Sequence, residues 1–209
     1  MSARDQESVS FDTEHGLAVL RTPHSVYALR IGEDGSPRHI YWGEPLDFTR
    51  LRGWYSPADS SFESDPAPDE LSIETGPRFG PAGLRVRFAD GVRGAQWRFE
   101  GHRIVDEEPS DGADAAGGAA GTAGTDGTDG TDGGRPGARV LRLRLVDRVY
   151  PLAVELAYRV RPDSDVIERW TEISHTGTVG SEPSDRELRD HEAIDPDAPI
   201  VIERCDSAS

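Results

Sequence analysis

Hydrophobic and polar residues alternate most strictly over residues 139–176. Leu141, Leu143 and Leu145 fall on one side of an extended chain, with Arg142 and Arg144 on the other; next, Leu152, Val154, Leu156, Tyr158 and Val160 oppose Ala153, Glu155, Ala157 and Arg159. Side chains two residues apart share a face in a strand, so the pattern predicts half-buried antiparallel strands with one wet face. Residues 161–165 read Arg-Pro-Asp-Ser-Asp, where proline presets φ and short polar side chains bond nearby amides, and a reversal is expected there. A third alternating strand completes the stretch.

Upstream, residues 9–31 predict two or three short strands, around 17–20 and 26–31. A turn follows at 33–37 and another strand at 39–42, ending at Gly43. Residues 44–82 lack periodicity and are rich in Pro, Ser, Asp and Gly, which reads as a long loop, functional or mobile. Leu84, Val86 and Phe88 alternate with arginines, residues 89–91 turn the chain, and 95–99 form the next strand. His102 is read as following that strand, more as a polar anchor than as a ligand or catalytic group. The spacing is that of an all-β sandwich.

Composition changes this picture only locally. The net charge is −16, the hydrophobic fraction 35% and the mean hydropathy −0.60. Residues 106–138 carry eight acidic side chains against Arg135, and residues 178–198 carry seven against two arginines; together they supply −12 of the total. The first is Gly/Ala/Thr/Asp-rich and cannot offset the entropy of ordering, so it reads as a flexible insertion between two strands. Its Gly-Thr-Asp triplets lack the period and apolar residue of a calcium-binding β-helix. The second reads as an acidic loop insertion, in which residues 184–191 could form a short capped helix.

Charge and residue types exclude several chemistries. No basic stripe suits nucleic acid, and all 23 basic residues are arginine. Without lysine there is no phosphate-loop or Schiff-base lysine, and no Gly-x-Ser-x-Gly elbow occurs. The six histidines form no i,i+4 pair, and Cys205 is the lone cysteine, so no metal or cofactor is expected. A reducing, cytoplasmic setting follows, and no membrane partner is expected, since the N-terminus lacks a signal-like apolar segment. Trp97 and Trp170 read as core or sheet-face residues, while Trp42 borders a turn. Trp54 and Tyr55, in the aperiodic loop, could stack on a sugar.

Several segments taken in order resemble one family. Tyr41-Trp42-Gly43, Ala89-Asp90-Gly91, the segment Phe99-Glu100-Gly101-His102-Arg103-Ile104, and Tyr150-Pro151-Leu152 running through to Trp170 are similar to the N-terminal domain of glycoside hydrolase family 36 α-galactosidases. His175-Thr176-Gly177 and residues 199–209 resemble two further pieces, with 178–198 inserted between them. The resemblance implies an all-β, antiparallel β-supersandwich, incomplete at Ser209, which in the family precedes a catalytic (β/α)8 barrel. The family's catalytic aspartates lie on that barrel, one in a Lys-Trp-Asp motif that a lysine-free chain cannot hold. A barrel also takes roughly 250 residues.

The expectation is therefore a non-catalytic fragment, with no catalytic residues of its own, poorly soluble and inactive alone. The parent would hydrolyse terminal α-galactosyl residues in galactose oligosaccharides by a retaining mechanism. Its missing barrel is the implied partner. In tetrameric members, loops of this domain help complete a neighbouring subunit's pocket; carried over, the 44–65 loop offers Asp47, Arg50, Trp54 and Tyr55 to the sugar in a homo-oligomer. A stand-alone carbohydrate-binding sandwich is the alternative. A mutarotase-like epimerase would need His102 or His175 to converge with a carboxylate.

Overall fold

The computed structural model describes residues 7–53, 69–74, 82–108, 137–177, 195 and 197–206. A first antiparallel sheet joins β1 (Val9–Asp12), β2 (Leu17–Arg21), β3 (Val26–Ile31) and β4 (Pro37–Gly43) in sequence order. The second joins β6 (Trp97–Glu107), β7 (Ala138–Asp147), β8 (Leu152–Val160) and β9 (Ile167–His175) in the same up-and-down manner. A two-stranded sheet pairs β5 (Leu84–Arg87) with β10 (Val201–Cys205). The fold is an all-β antiparallel sandwich, as the alternation predicts.

The core lies between the two large sheets. Ala18, Leu20 and Leu29 of the first sheet meet Leu141, Leu143, Leu145, Val154, Leu156 and Tyr158 of the second, with Leu84, Val86 and Phe88 closing one side. Each of these side chains is at most 3% exposed. The opposite face of the first sheet is also covered. Leu17, Val19, Val26, Ala28 and Ile40 pack under Phe48 and Leu51 of a short helix, α1 (Phe48–Gly53). This helix lies within the stretch expected to be loop.

Two strand boundaries differ from expectation. β6 runs on through Gly101-His102-Arg103 to Glu107, so His102 sits inside a strand. A bulge between Phe99 and Gly101 breaks the alternation there and turns His102 toward Phe11, whose ring stacks on it at 3.9 Å between centroids. Burial holds the His102 imidazole below its ordinary pKa. Likewise 106, 107 and 138 belong to β6 and β7: Glu107 and Ala138 are direct Cα partners, so the first insertion begins and ends on a ladder rung. The expected helix at 184–191 lies outside the described residues.

Gly35 shows why the β3–β4 turn takes glycine. Its φ is +85°, and a Cβ there would lie 3.0 Å from the Phe99 nitrogen and 3.1 Å from the Trp97 carbonyl oxygen. The turn thus rests directly on the start of β6.

The wet face of the second sheet is an arginine–glutamate ladder. Arg142 donates to Glu155 and, at 2.8 Å, to Glu172; Arg103 also donates to Glu155 at 2.9 Å. Arg159 reaches Glu168 at 2.7 Å and Glu107 at 2.9 Å. Trp170 lies over this row, with the Arg159 guanidinium 4.9 Å and that of Arg142 5.6 Å from its ring. Burial opposes ionisation of Glu155 and Glu168, yet their arginine hydrogen bonds win and hold both below the ordinary carboxylate value. Glu172 is lowered first by the Trp170 N–H and then by Arg142.

These depressed values fix a sign. The ladder's contribution is complete above the unfolded glutamate pKa, about 4.3, and is lost as pH falls through the lower folded values. A melting temperature followed from pH 6 to pH 2.5 should fall most steeply below that point. The Arg142→Met variant should show a shallower fall; an identical pH profile in the two proteins would remove the ladder as the cause.

Candidate functional site

One end of the sandwich brings together the ends of several elements. Gly43 and Trp42 at the end of β4 pair with Val26 and Tyr27, at the hairpin between β2 and β3. The β8–β9 turn reaches the same end, where Asp165 accepts from the His24 amide at 2.9 Å. Between them is a cavity of about 310 Å³ lined by Arg21, Pro23, Val26, Pro45 and Pro162, among others. Arg21 donates to the Leu46 carbonyl at 2.8 Å, which ties the start of the 44–53 segment to the sheet. Trp42 at this end is 68% exposed, turned edge-on to Tyr27 at 5.8 Å.

Asp47 and Arg50 are brought together, in a structural arrangement. Asp47 caps α1: its carboxylate accepts the Arg50 amide at 2.8 Å and its carbonyl accepts the Leu51 amide at 3.2 Å. The Arg50 guanidinium pairs loosely with the same carboxylate at 3.6 Å and remains 73% exposed. Trp54 and Tyr55 lie outside the described residues. Trp97 is buried, as expected, and Trp170 sits on the sheet face.

Two clusters escaped the sequence reading. The first is built on Glu70, whose side chain is 1% exposed. Tyr27 of β3 donates to one carboxylate oxygen, and Tyr158 of β8 donates to the other at 2.7 Å. Arg169 of β9 stands 3.4 Å away and His39 of β4 stands 4.0 Å away. Burial, and then the Glu70 charge, push both tyrosine hydroxyls well above the ordinary value. Burial holds His39 below its ordinary value, against the pull of Glu70.

The second cluster groups Asp12, Glu14 and His15, whose ligand-type atoms lie within 4.8 Å of one another. Spacing rules based on histidine pairs do not detect it. Its cationic position is taken by Arg52 of α1, 2.7 Å from the His15 ring, 3.6 Å from Asp12 and 4.0 Å from Glu14. The grouping therefore fastens α1 to the β1–β2 hairpin. Among the described residues, His102 and His175 do not converge on a carboxylate: His102 stacks on Phe11, and His175 bonds the Ala198 carbonyl at 2.9 Å. No helix among the described residues is long and apolar enough to cross a membrane.

These features define a β-sandwich scaffold whose charged clusters, among the described residues, act as fastenings between elements. The chain belongs to the glycosyl hydrolase family 36 N-terminal domain family, whose model matches residues 35–181. No curated protein matches it. Among solved structures it is similar to the galactosidase domain of the α-galactosidase–sucrose kinase AgaSK, with a TM-score of 0.65 and 19% identity, covering 96% of this chain and 25% of that one. It is also similar to the α-galactosidase AgaB from Geobacillus stearothermophilus, with a TM-score of 0.57, 21% identity and coverage of 81% and 22%. A third is the α-galactosidase from Lactobacillus brevis, at 0.55, 20%, 78% and 22%. At such identities the likeness to these structures is one of fold. The chain spans about a quarter of their length or less.

The cap gives a direct test. Asp47→Ala should lower the unfolding free energy by about 1 kcal/mol in a urea titration. No loss would mean that the cap adds nothing to the apolar packing of Phe48 and Leu51 and the Arg52 contacts that hold α1.

Proposed function

We infer that this chain serves as the non-catalytic N-terminal sandwich of an α-galactosidase, an enzyme that removes terminal α-galactosyl residues with retention. The observation that carries this reading is the family match over residues 35–181. It is supported by the state of the carboxylates. A retaining glycosidase needs two carboxyl groups about 5–5.5 Å apart across a substrate cleft. Here the close pair Asp12 and Glu14 shares Arg52, and Glu155 and Glu172 share Arg142. Neither pair is free to attack a sugar.

In this reading the sandwich packs beside a catalytic barrel supplied by residues other than these 209, within a cytoplasmic homo-oligomer. The 44–65 segment leads toward the sugar. Arg50 suits that role because its guanidinium projects into water, whereas the Asp47 carboxylate is engaged by the helix cap. Trp54 and Tyr55 would add stacking surface. Purified chain 1–209, prepared free of host enzyme, should release no nitrophenol from an aryl α-galactoside. Turnover by it would sink the reading. In the barrel-containing enzyme, Arg50→Ala and Trp54→Ala should raise KM for an α-galactoside; unchanged kinetic constants would dispose of the loop's role.

A second reading, a stand-alone carbohydrate-binding sandwich, is favoured by one observation: the indole of Trp42, 68% exposed at the end of β4. It predicts that galactose or raffinose perturbs the fluorescence of chain 1–209 and that Trp42→Ala abolishes the change. Absence of any perturbation at millimolar sugar would leave the scaffold reading.

A further inference from the structure

Helix α1 has six residues, too few to hold a helical shape unaided in water, so its placement is set by what grips it. Phe48 and Leu51 press one side against the first sheet. The last carbonyls of a helix have no partner within it, and here Arg30 of β3 supplies one. Its guanidinium donates to the Arg52 carbonyl at 2.8 Å and to that of Leu51 at 3.4 Å.

The side chain of Arg52 is gripped separately, by the turn between β1 and β2. Asp12, whose side chain is 5% exposed, accepts the Glu14 amide at 3.2 Å and stands 3.6 Å from the Arg52 guanidinium. The His15 ring, with its proton on Nδ1, donates to Asp12 at 3.0 Å and accepts from Arg52 on Nε2 at 2.7 Å. This turn is itself anchored, because the Gly16 carbonyl accepts the amide of Ile31, the residue after Arg30, at 2.8 Å. Both grips on Arg52 therefore belong to one platform. Carbonyl and guanidinium of a single residue are fixed to it, one position before α1 ends at Gly53.

We propose that Arg52 is a positioning residue, which sets the rotation of α1 and the point where the chain leaves it, and so aims Arg50 and the Trp54-Tyr55 pair at an α-galactoside that Arg52 does not touch. This rests on the 44–65 segment serving the sugar, and adds what holds that segment in place. Positions two apart on a helix lie about 200° apart around its axis, so fastening Arg52 inward turns Arg50 outward, where it is 73% exposed. Apolar contacts at Phe48 and Leu51 are non-directional and resist such rotation weakly. A guanidinium fork is directional. Misplacing a substrate-holding group by about 1 Å can cost up to about a hundredfold in rate.

Kinetics of the barrel-containing enzyme test this. Arg52→Met should raise KM for an α-galactoside about tenfold with kcat unchanged, since binding is lost and the chemistry is not. Arg52→Lys, which keeps the charge without the fork, should recover part of that loss. Arg30→Met, which frees the carbonyl and leaves the ion pairs of Arg52 intact, should act in the same direction. Added to a variant already carrying Arg50→Ala and Trp54→Ala, Arg52→Met should change KM little further, because those are the groups it places. The proposal is overturned if Arg52→Met and Arg30→Met leave KM unchanged while Arg50→Ala or Trp54→Ala raises it, or if the Arg52→Met effect adds in full to theirs. Unchanged KM in every one of these variants would instead remove the segment's role at the sugar, and the positioning role with it.

Discussion

The carboxylate of Glu70 is the point at which the layers are joined. A buried charge is costly unless it is paired and hydrogen-bonded; here each oxygen takes a tyrosine hydroxyl, one from each facing sheet, and Arg169 supplies the countercharge. Removing any one partner would leave the others facing a desolvated ion. The arrangement also fixes geometry. Apolar packing between Leu29 and Leu156 tolerates sliding, but a carboxylate with one donor on β3 and another on β8 permits a single relative placement of the sheets. The aromatic pair Tyr27 and Tyr158, 6.4 Å apart, exists in that orientation because the same anion holds both hydroxyls.

The strands from 139 to 176 were legible because their two faces meet different media, leucine toward core and arginine toward water. In β8 even the alternation's small members make sense: Ala157 stands opposite Trp170 and leaves room for its ring. Helix α1 was illegible for a physical reason. Six residues make less than two turns, too short for a periodic signal, and its stability comes from Phe48 and Leu51 lying on the sheet. β6 was cut short because its bulge shifts the period midway. Glu70 left no trace, since a buried acid in a Pro/Asp-rich stretch has the same composition as a solvated one. Of the site residues, Asp47 is typical of helix caps, a role that its position before Phe48 suggests only once the helix is known.

The two faces of the second sheet divide labour. Its inner side supplies the apolar mass of the core, and its outer side is bound by Arg142, Arg159, Glu155, Glu168 and Glu172. Single exposed ion pairs contribute little. A row in which each arginine serves two carboxylates and flanks a tryptophan loses less entropy per bond, because each side chain is fixed once. Such a face is satisfied in water and would be expensive to desolvate. The β4 end, by contrast, exposes the indole of Trp42.

The pairing of Glu107 with Ala138 has a consequence for how this chain can vary. Opposed residues of an antiparallel pair lie about 4.5–5.5 Å apart, so the connecting segment 108–137 starts and finishes at one place on the sheet's rim. Closing a loop costs free energy that rises only with the logarithm of its length, about 0.6 kcal/mol per doubling. The hairpin is therefore nearly indifferent to what is spliced into it. Lineages can lengthen, shorten or replace this stretch without disturbing the ladder, and an entire foreign domain whose termini lie close together could be carried there as cargo.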